Sequence, residues 1–320
     1  MSDAQKAESL LQRGLKLSHL RLMAQLGETG HLGLSAGRLG ITQPAASRLL
    51  AEVEQITQAT MHSRTGRGIA LTELGQVLAR RAQRVMMEMG DAAREMAEVA
   101  GGGAGVVRIG AVTAPALDMV LPALRTARLS QPKVRAEVSV AASDILCGQL
   151  LDGRLDFALG RIPKEMETAD LSIVFLGTEP IELVVRRGHR LAGRAGVPAA
   201  ELMEFDWVMP AEGSPLAAAV QERLAVLSLG PPRQHLATSS FLLTLALVQQ
   251  TNAIAPVARA VARQFANAPD APYTVVDCPL GIDVAPFGMI TRTGADLTPA
   301  AQMLVDLMLS QHRALRSAAP

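Results

Sequence analysis

The segment Leu34–Leu50 constrains the fold more than any other part of the sequence, because it predicts two short helices joined by a tight turn. Gly40 can adopt the positive φ that such a turn needs. Thr42 is a favourable N-cap for the second helix, and Pro44 falls in its first turn, where a missing N–H costs nothing. Apolar residues at helical spacing then predict a buried stripe on that helix: Ala46, Leu49, Leu50 and Val53.

The opposite face of the predicted second helix carries Gln43, Ser47 and Arg48. Two helices that meet at a glycine turn are typical of the helix-turn-helix unit, whose second helix enters the major groove of DNA. Gln pairs with adenine edges, Arg with guanine edges, and Ser with phosphates or with either base type. An ordinary helical hairpin that binds no nucleic acid has the same local pattern, so both interpretations stay open on this segment alone.

Between Arg64 and Gly68, two glycines alternate with basic and polar residues, which suits a tight β-hairpin, or wing. Arg64 and Arg67 would then reach the phosphate backbone, a contact that positions a protein on DNA without reading its sequence. Residues 1–68 hold 8 Lys and Arg against 5 Asp and Glu, whereas the whole chain holds 31 against 30. The basic excess is modest, so we expect one head to bind weakly and two heads on one site to compensate.

A long helix is predicted from Glu73 to about Val99, capped by Thr72. Apolar residues recur along it at spacings of three and four, as in a coiled-coil seam: Leu74, Leu78, Ala82, Val85, Met89, Ala92, Met96 and Val99. Such a seam beside a small head favours a dimer that presents two recognition helices to two half-sites. A helix that packs only on its own domain is the alternative.

At this point the chain resembles the LysR-type transcriptional regulators. The matching residues are Ser35-Ala36, Leu39, the segment 42–48 (Thr-Gln-Pro-Ala-Ala-Ser-Arg), Glu54, Arg64, and Leu71-Thr72 followed by Gly75. Within that family, residues 110–115 and 156–161 look most like the galactose-binding-protein regulators. The resemblance implies a winged helix-turn-helix, a homotetramer built as a dimer of dimers on a dyad-symmetric site in double-stranded DNA, and control by a small-molecule effector. RNA polymerase is a further candidate partner.

By the same resemblance, a set of head residues is expected to contact DNA: Ser35, Thr42, Gln43, Pro44, Ser47, Arg48, Arg64 and Arg67. The chain also departs from the family pattern. Thr57-Gln58 stands where the family has Leu-Gly, and Met61-His62 stands where it has Leu-Phe. Gly33 and Gly37 lie in or beside the first helix of the motif, where each costs roughly 1 kcal/mol relative to Ala. We therefore expect a loosened wing and a less stable head.

Composition bounds the cell compartment and the number of domains. A chain of 320 residues allows two or three domains. Residues 1–16 are polar and lack the apolar core of a signal peptide, and the best apolar stretch, residues 241–248, is far too short to span a membrane. Cys147 and Cys278 are expected to be buried thiols rather than a disulfide. These features predict a protein of a bacterial-type cytoplasm with no membrane contact.

The glycine-rich run 101–105 predicts a hinge, and strands and helices alternate after it, which indicates a parallel sheet covered by helices. The fold class expected is an α+β multidomain chain with an N-terminal winged helix-turn-helix, a long linker helix and a C-terminal two-lobed α/β effector domain similar to periplasmic binding proteins. We predict these limits: 1–72 DNA-binding domain, 73–100 linker (dimerisation) helix, 101–105 hinge, 106–180 plus 282–320 first lobe, and 181–281 second lobe.

Ligands of open α/β sheets bind beyond the carboxyl ends of strands. Polar residues at these ends are therefore candidate effector contacts: Thr113, Ser143, Arg161, Thr238 and Ser239. Each hydroxyl suits a helix cap or turn equally well, and Arg161 suits a surface or interlobe salt bridge. The hydroxyls favour a neutral monosaccharide as effector, whereas Arg161 would suit a small organic or aromatic acid.

The sequence offers little for catalysis. The six histidines are scattered without metal-ligand spacing, and no nucleophile elbow occurs. We therefore predict no metal, no cofactor and no enzyme activity. A solute-binding protein without DNA function and an α/β enzyme with a regulatory head are the alternatives. The polar N-terminus and the recognition-helix chemistry argue against the first of these.

Overall fold

The computed structural model describes residues 3–65, 68–101, 104–166, 168–266, 268 and 270–317. The chain divides into two compact units, Met1–Gly102 and Gly103–Pro320. The division falls inside the glycine-rich run that the sequence marks as a hinge. None of the described helices has the length and apolarity that a membrane crossing requires.

The N-terminal unit consists of helices, a hairpin and a long final helix. Its elements are α1 (Asp3–Gln12), α2 (Leu17–Thr29), α3 (Leu32–Leu39), α4 (Gln43–Thr57), β1 (His62–Thr65), β2 (Gly68–Leu71) and α5 (Glu73–Ala100). Helices α3 and α4 are the pair predicted from the sequence. The core between them and α2 is aliphatic and includes Leu22, Ala36, Ala46, Leu50 and Val53.

The turn between α3 and α4 forms as its residue types dictate. Gly40 has φ of 67° and donates its N–H to the Gly37 carbonyl at 3.1 Å. The Thr42 hydroxyl accepts the N–H of Ala45 at 3.4 Å and caps α4, with Pro44 in the first turn. At the start of α3, the cap is the ring of His31, whose Nδ1 accepts the N–H of Gly33 at 3.2 Å.

Thr72 lies between the wing and the long helix α5 and caps that helix. Strands β1 and β2 pair antiparallel, with His62 opposite Leu71. The Thr72 hydroxyl accepts the N–H of Gly75 at 3.1 Å and starts α5. A Cβ on Gly75 would collide with the backbone carbonyl oxygen of Met61, so glycine is required there.

The C-terminal unit combines one large mixed sheet with a small parallel one. Its strands are β3 (Val106–Ala111), β4 (Arg135–Val140), β5 (Phe157–Gly160), β6 (Leu171–Arg186), β7 (Asp206–Pro210), β8 (Arg233–Thr238), β9 (Ala255–Ala258), β10 (Tyr273–Val275) and β11 (Ile282–Arg292). Its α-helices are α6 (Thr113–Pro115), α7 (Leu121–Ser130), α8 (Ser143–Leu151), α9 (Ala199–Leu202), α10 (Pro215–Val226), α11 (Phe241–Gln250), α12 (Arg259–Ala266) and α13 (Pro299–Ser317).

The large sheet has the order β10-β6-β11-β5-β3-β4, with β9 also pairing with β6, and the small sheet joins β7 to β8. Strands β3, β4 and β5 run parallel, as the alternating pattern predicts, whereas β6 and β11 run antiparallel to each other. One core packs β3, β5 and parts of β6 and β11 against α7 and α13, and α8 covers the other face of the sheet. A separate core holds β7, β9, α10 and α11, so the unit has two lobes linked by β6 and β11.

Two elements are longer than the sequence suggests. The helix predicted from Leu117 forms over residues 113–130, with a π-helical stretch at Ala116–Val120. Strand β6 begins ten residues before the predicted start at Ile181. Pro180 and the charged Glu179 interrupt the apolar run, but a proline is tolerated where the ladder is irregular, and β6 is irregular at this point.

Candidate functional site

The exposed face of α4 carries the side chains predicted to read DNA. Gln43, Pro44, Ser47 and Arg48 are all exposed, while Ala46 and Leu50 on the opposite face are buried. Arg48 makes no hydrogen bond or ion pair with any described residue, so its guanidinium is available to an external acceptor. Thr42 is exposed, but its hydroxyl is already engaged in capping α4.

Ser35, which is also expected to contact DNA, does not lie on this exposed surface. The residue is fully buried. Its Oγ lies 2.7 Å from the Thr29 Oγ and 3.1 Å from the His31 carbonyl oxygen, to which it donates. Ser35 is small and hydrogen-bonded, so it lets α2 and α3 approach closely without leaving an unsatisfied hydroxyl.

The predicted phosphate contacts of the wing are placed only in part. The backbone of Arg64 lies in β1 opposite Ile69. The side chain of Arg64 and the whole of Arg67 lie outside the described residues.

Glu54 joins the recognition helix to the wing, a role that the sequence patterns did not reveal. Its Oε1 accepts the N–H of Met61 at 2.8 Å and that of His62 at 3.4 Å, and it lies 3.0 Å from the His62 Nδ1. Glu54 belongs to the family pattern, which was the only signal for it in the sequence. The structure pairs His62 with this carboxylate instead of leaving a polar ring in the core. Gln58 ends α4 with φ of 55°, a strained value for a residue with a side chain.

A second histidine–carboxylate contact holds α2 against α4. His19 is buried, and its Nδ1 accepts the N–H of Lys16 at 3.0 Å. The Nε2 therefore carries the ring proton and donates to the Glu52 Oε2 at 2.9 Å. This histidine is structural, as expected from the scattered positions of the six histidines.

The candidate effector residues of the first lobe lie at one edge of its sheet. Thr113 and Ser143 follow β3 and β4, which are adjacent and parallel. The Ser143 Oγ accepts the N–H of Arg161 at 3.1 Å, so Ser143 and Arg161 are in direct contact. The Thr113 hydroxyl is half-buried and has no hydrogen-bond partner among the described residues.

The Arg161 guanidinium is not free. Its Nη2 donates to the Glu179 Oε2 at 2.7 Å, and its Nε donates to the Ala285 carbonyl oxygen at 2.8 Å. Both side chains of the ion pair are only 15% exposed. Of the two roles that the sequence left open for Arg161, the structure shows the salt bridge.

The candidates of the second lobe, Thr238 and Ser239, lie at the end of β8, directly before the cap of α11. The Thr238 hydroxyl accepts the N–H of Ser240 at 3.0 Å, and the Ser240 hydroxyl caps α11 by accepting the N–H of Leu243 at 3.3 Å. Ser239 is exposed. No hydrogen bond among the described residues joins this group to Ser143 or Arg161.

Asp118 is a charged residue of this region that sequence reasoning missed. It lies on the π-helical stretch, and burial raises the pKa of its carboxyl. Arg263 on α12 and His312 on α13 oppose that pKa shift, and Glu179 on β6 adds to it. Helix α12 belongs to the second lobe, so Asp118 lies where the two lobes approach each other. No group of three or more potential metal ligands occurs among the described residues.

A helix-turn-helix head joined to a two-lobed α/β ligand domain defines a ligand-controlled transcriptional regulator. The family model described as "Bacterial regulatory helix-turn-helix protein, lysR family" matches residues 17–76, and the one described as "LysR substrate binding domain" matches residues 100–313. The chain belongs to the LysR family, whose members regulate transcription and are not enzymes. The predicted family and fold class are therefore confirmed.

Two relatives are named HTH-type transcriptional regulator GbpR. The protein from Rhizobium radiobacter is 40% identical over 253 residues, covering 78% of this chain and 84% of the relative. The protein from Azospirillum brasilense is 32% identical over 298 residues, covering 92% and 86%. Both names are consistent with the galactose-binding-protein regulator subgroup.

Solved structures show the same fold at low identity. Full-length CbnR in complex with its target DNA has a TM-score of 0.61 at 19% identity and covers 93% of this chain and 100% of that chain. A full-length OxyR variant from Pseudomonas aeruginosa has a TM-score of 0.61 at 19% identity and covers 93% and 95%. Regulators of this family bind DNA and small-molecule effectors and act as oligomers.

Proposed function

We propose that this regulator reads its operator through the exposed face of α4. Gln43, Ser47 and Arg48 would contact base edges or phosphates, and Arg64 and Arg67 of the wing would contact the backbone. The observation that carries this proposal is the exposed guanidinium of Arg48, which pairs with none of the described residues and lies beside Gln43 and Ser47 on one helix face. Thr42 and Pro44 would position the start of the helix against the DNA, and Ser35 would act from inside the head.

Footprinting of the full-length protein on the region upstream of its own gene tests this proposal. We expect a protected site with dyad symmetry, because two heads carried by one dimer meet two half-sites. Absence of any protected dyad in that region, with and without candidate effectors, would contradict it.

Helix α5 supports a dimer, and we propose a homotetramer built as a dimer of dimers in the cytoplasm. Ala79 and Ala82 face the head and are buried, whereas an apolar row along the rest of the helix is exposed: Leu74, Val77, Val85, Met89, Met96 and Val99. Exposed apolar rows of this length usually mark an interface. Sedimentation of the purified chain would test the tetramer.

The proposed domain limits are residues 1–72 for the DNA-binding domain, 73–100 for the linker helix and 101–105 for the hinge. The first lobe comprises residues 106–180 plus 282–320, and the second lobe comprises residues 181–281.

We propose that the effector is an uncharged small molecule, such as a monosaccharide, bound between the lobes near Thr113, Ser143, Thr238 and Ser239. The engaged guanidinium of Arg161 supports this, because a carboxylate ligand would have to displace Glu179 from a nearly buried ion pair. A thermal-shift screen with neutral sugars and with small organic acids tests the class. Stabilisation by acids alone would contradict the sugar proposal and favour an organic or aromatic acid.

A further inference from the structure

The ladder between the two strands that connect the lobes is irregular at one place. Strands β6 and β11 pair Val284 with Glu179 and then resume with Phe287 opposite Gly177, so two residues of β11 face one residue of β6. Directly afterwards Gly288 pairs with Phe175, so β6 has an extra residue in turn and the register is restored. An extra residue of this kind is a β-bulge, which bends the strand and increases its twist. On one side of the bulge β11 also pairs with β5 of the first lobe, and on the other side β6 pairs with β9 and β10. The bulge therefore lies at the junction of the lobes.

Arg161 contacts both strands at this bulge. Its Nη2 donates to Glu179 on β6, and its Nε donates to the carbonyl oxygen of Ala285, one of the two bulged residues of β11. Arg161 directly follows β5, and its backbone is fixed in the first lobe because its N–H donates to the Ser143 Oγ. One side chain thus links the first lobe to both crossover strands where they bend.

We propose that Arg161 is a positioning residue that fixes the bend of β6 and β11 and so sets the resting angle between the two lobes. The rigid guanidinium fork offers donors in fixed directions, so it holds two acceptors at one relative position. A bulge without such a contact has several accessible backbone geometries, each with a different bend. This inference rests on the proposed function in one respect: a bound effector would act by changing the angle between the two lobes.

The charges around the bulge increase the effect of losing Arg161. Glu179 lies close enough to Asp118 to raise the pKa of that carboxyl. Without the guanidinium, the Glu179 carboxyl would lose its cationic partner at a nearly buried position, which is costly. The junction would therefore move towards a geometry that gives this carboxyl access to water.

The interlobe distance tests this role directly. In the full-length chain, Gln131 of the first lobe and Gln249 of the second, both exposed, are replaced by Cys, with Cys147→Ser and Cys278→Ser. Both introduced cysteines carry spin labels, and labelled chains are diluted with unlabelled chains so that only distances within one chain are measured by double electron–electron resonance. The variants are Glu179→Gln, which is isosteric, and Arg161→Met.

Glu182→Gln is the matched control, because Glu182 is on the same strand and pairs with Arg259, but at an exposed site within the second lobe. We expect Glu179→Gln and Arg161→Met to shift the distance distribution or to broaden it, on the order of twofold, as several bends become populated. The control should match the wild type. An unchanged distribution in both variants, or an equal change in the control, would overturn the proposal.

The measurement uses neither DNA nor effector. A negative footprint combined with a broadened distance distribution would therefore contradict the proposed function and leave the role of Arg161 intact. A protected operator combined with an unchanged distribution would do the reverse.

Discussion

Glu54→Ala should release the wing from the recognition helix. The substitution removes the acceptor of the Met61 N–H at 2.8 Å and the partner of His62 Nδ1 at 3.0 Å. A hydrogen bond to a charged group contributes about 1.5–3 kcal/mol, and Met61 itself is buried, so its N–H would lose a partner that water replaces poorly. Glu54 and His62 are each 25% exposed, so their ion pair adds little, roughly 0–1 kcal/mol. We expect local opening at Met61 to become easier by about 2 kcal/mol.

Native-state hydrogen exchange of the full-length chain measures this directly. A loss of about 2 kcal/mol corresponds to roughly 30-fold faster exchange of the Met61 amide if opening and closing are fast. Glu54→Gln keeps an oxygen acceptor without the charge, so it should cost less than Glu54→Ala. Glu52→Ala, on the same helix but paired with His19, should leave the Met61 amide unchanged. Equal exchange in Glu54→Ala and wild type would refute the reasoning.

Three further predictions concern DNA affinity, helix stability and pH. Arg48→Ala should weaken binding to the protected operator by about 1–3 kcal/mol in gel shifts at fixed salt if Arg48 reads a base; equal weakening on all sequences would make it a phosphate contact. Gly37→Ala should raise the free energy of unfolding of the head by about 0.5–1 kcal/mol in urea titrations, because a Cβ there meets open space, whereas Gly75→Ala should lower it. Burial lowers the pKa of His189 from its ordinary 6.5, so the unfolded chain binds the proton first as pH falls. Stability of the C-terminal unit should therefore decrease from about pH 6.5 downward, and His189→Gln should flatten that dependence in urea titrations from pH 7.5 to 5.

The parts of the fold that the sequence predicted well depend on local chemistry. The turn at Gly40, the Thr42 cap, the Thr72 cap and helix α11 each depend on residues within a few positions of one another. Side-chain volume and backbone freedom decide such features before any tertiary contact forms. The exposure of Gln43, Ser47 and Arg48 also follows from helical periodicity alone.

The parts that could not be predicted depend on contacts between distant positions. Ser35 is a small polar residue on a short helix, and only the approach of α2 shows that its face is buried. The guanidinium of Arg161 donates to the Glu179 carboxylate and to the Ala285 backbone carbonyl, 18 and 124 residues away, and nothing in the local sequence marks either of them. The start of β6 could not be predicted because, among the described strands, the partner of its first half is β11, more than a hundred residues later.

The proposed role of Arg161 also limits which effectors can switch this protein. A ligand shifts a conformational equilibrium only through its different affinities for the two states, and moving from 1:99 to 99:1 requires about 5.5 kcal/mol of difference. Removing one partner of a buried ion pair costs about 3–5 kcal/mol, and the partial exposure of Arg161 and Glu179 puts their pair toward or below the low end of that range. A ligand held by one lobe gains nothing from a change in lobe angle. On the proposal that Arg161 sets the resting angle, we expect the effector to contact both lobes at once, and the proposed contacts are Thr113 or Ser143 in one lobe and Thr238 or Ser239 in the other.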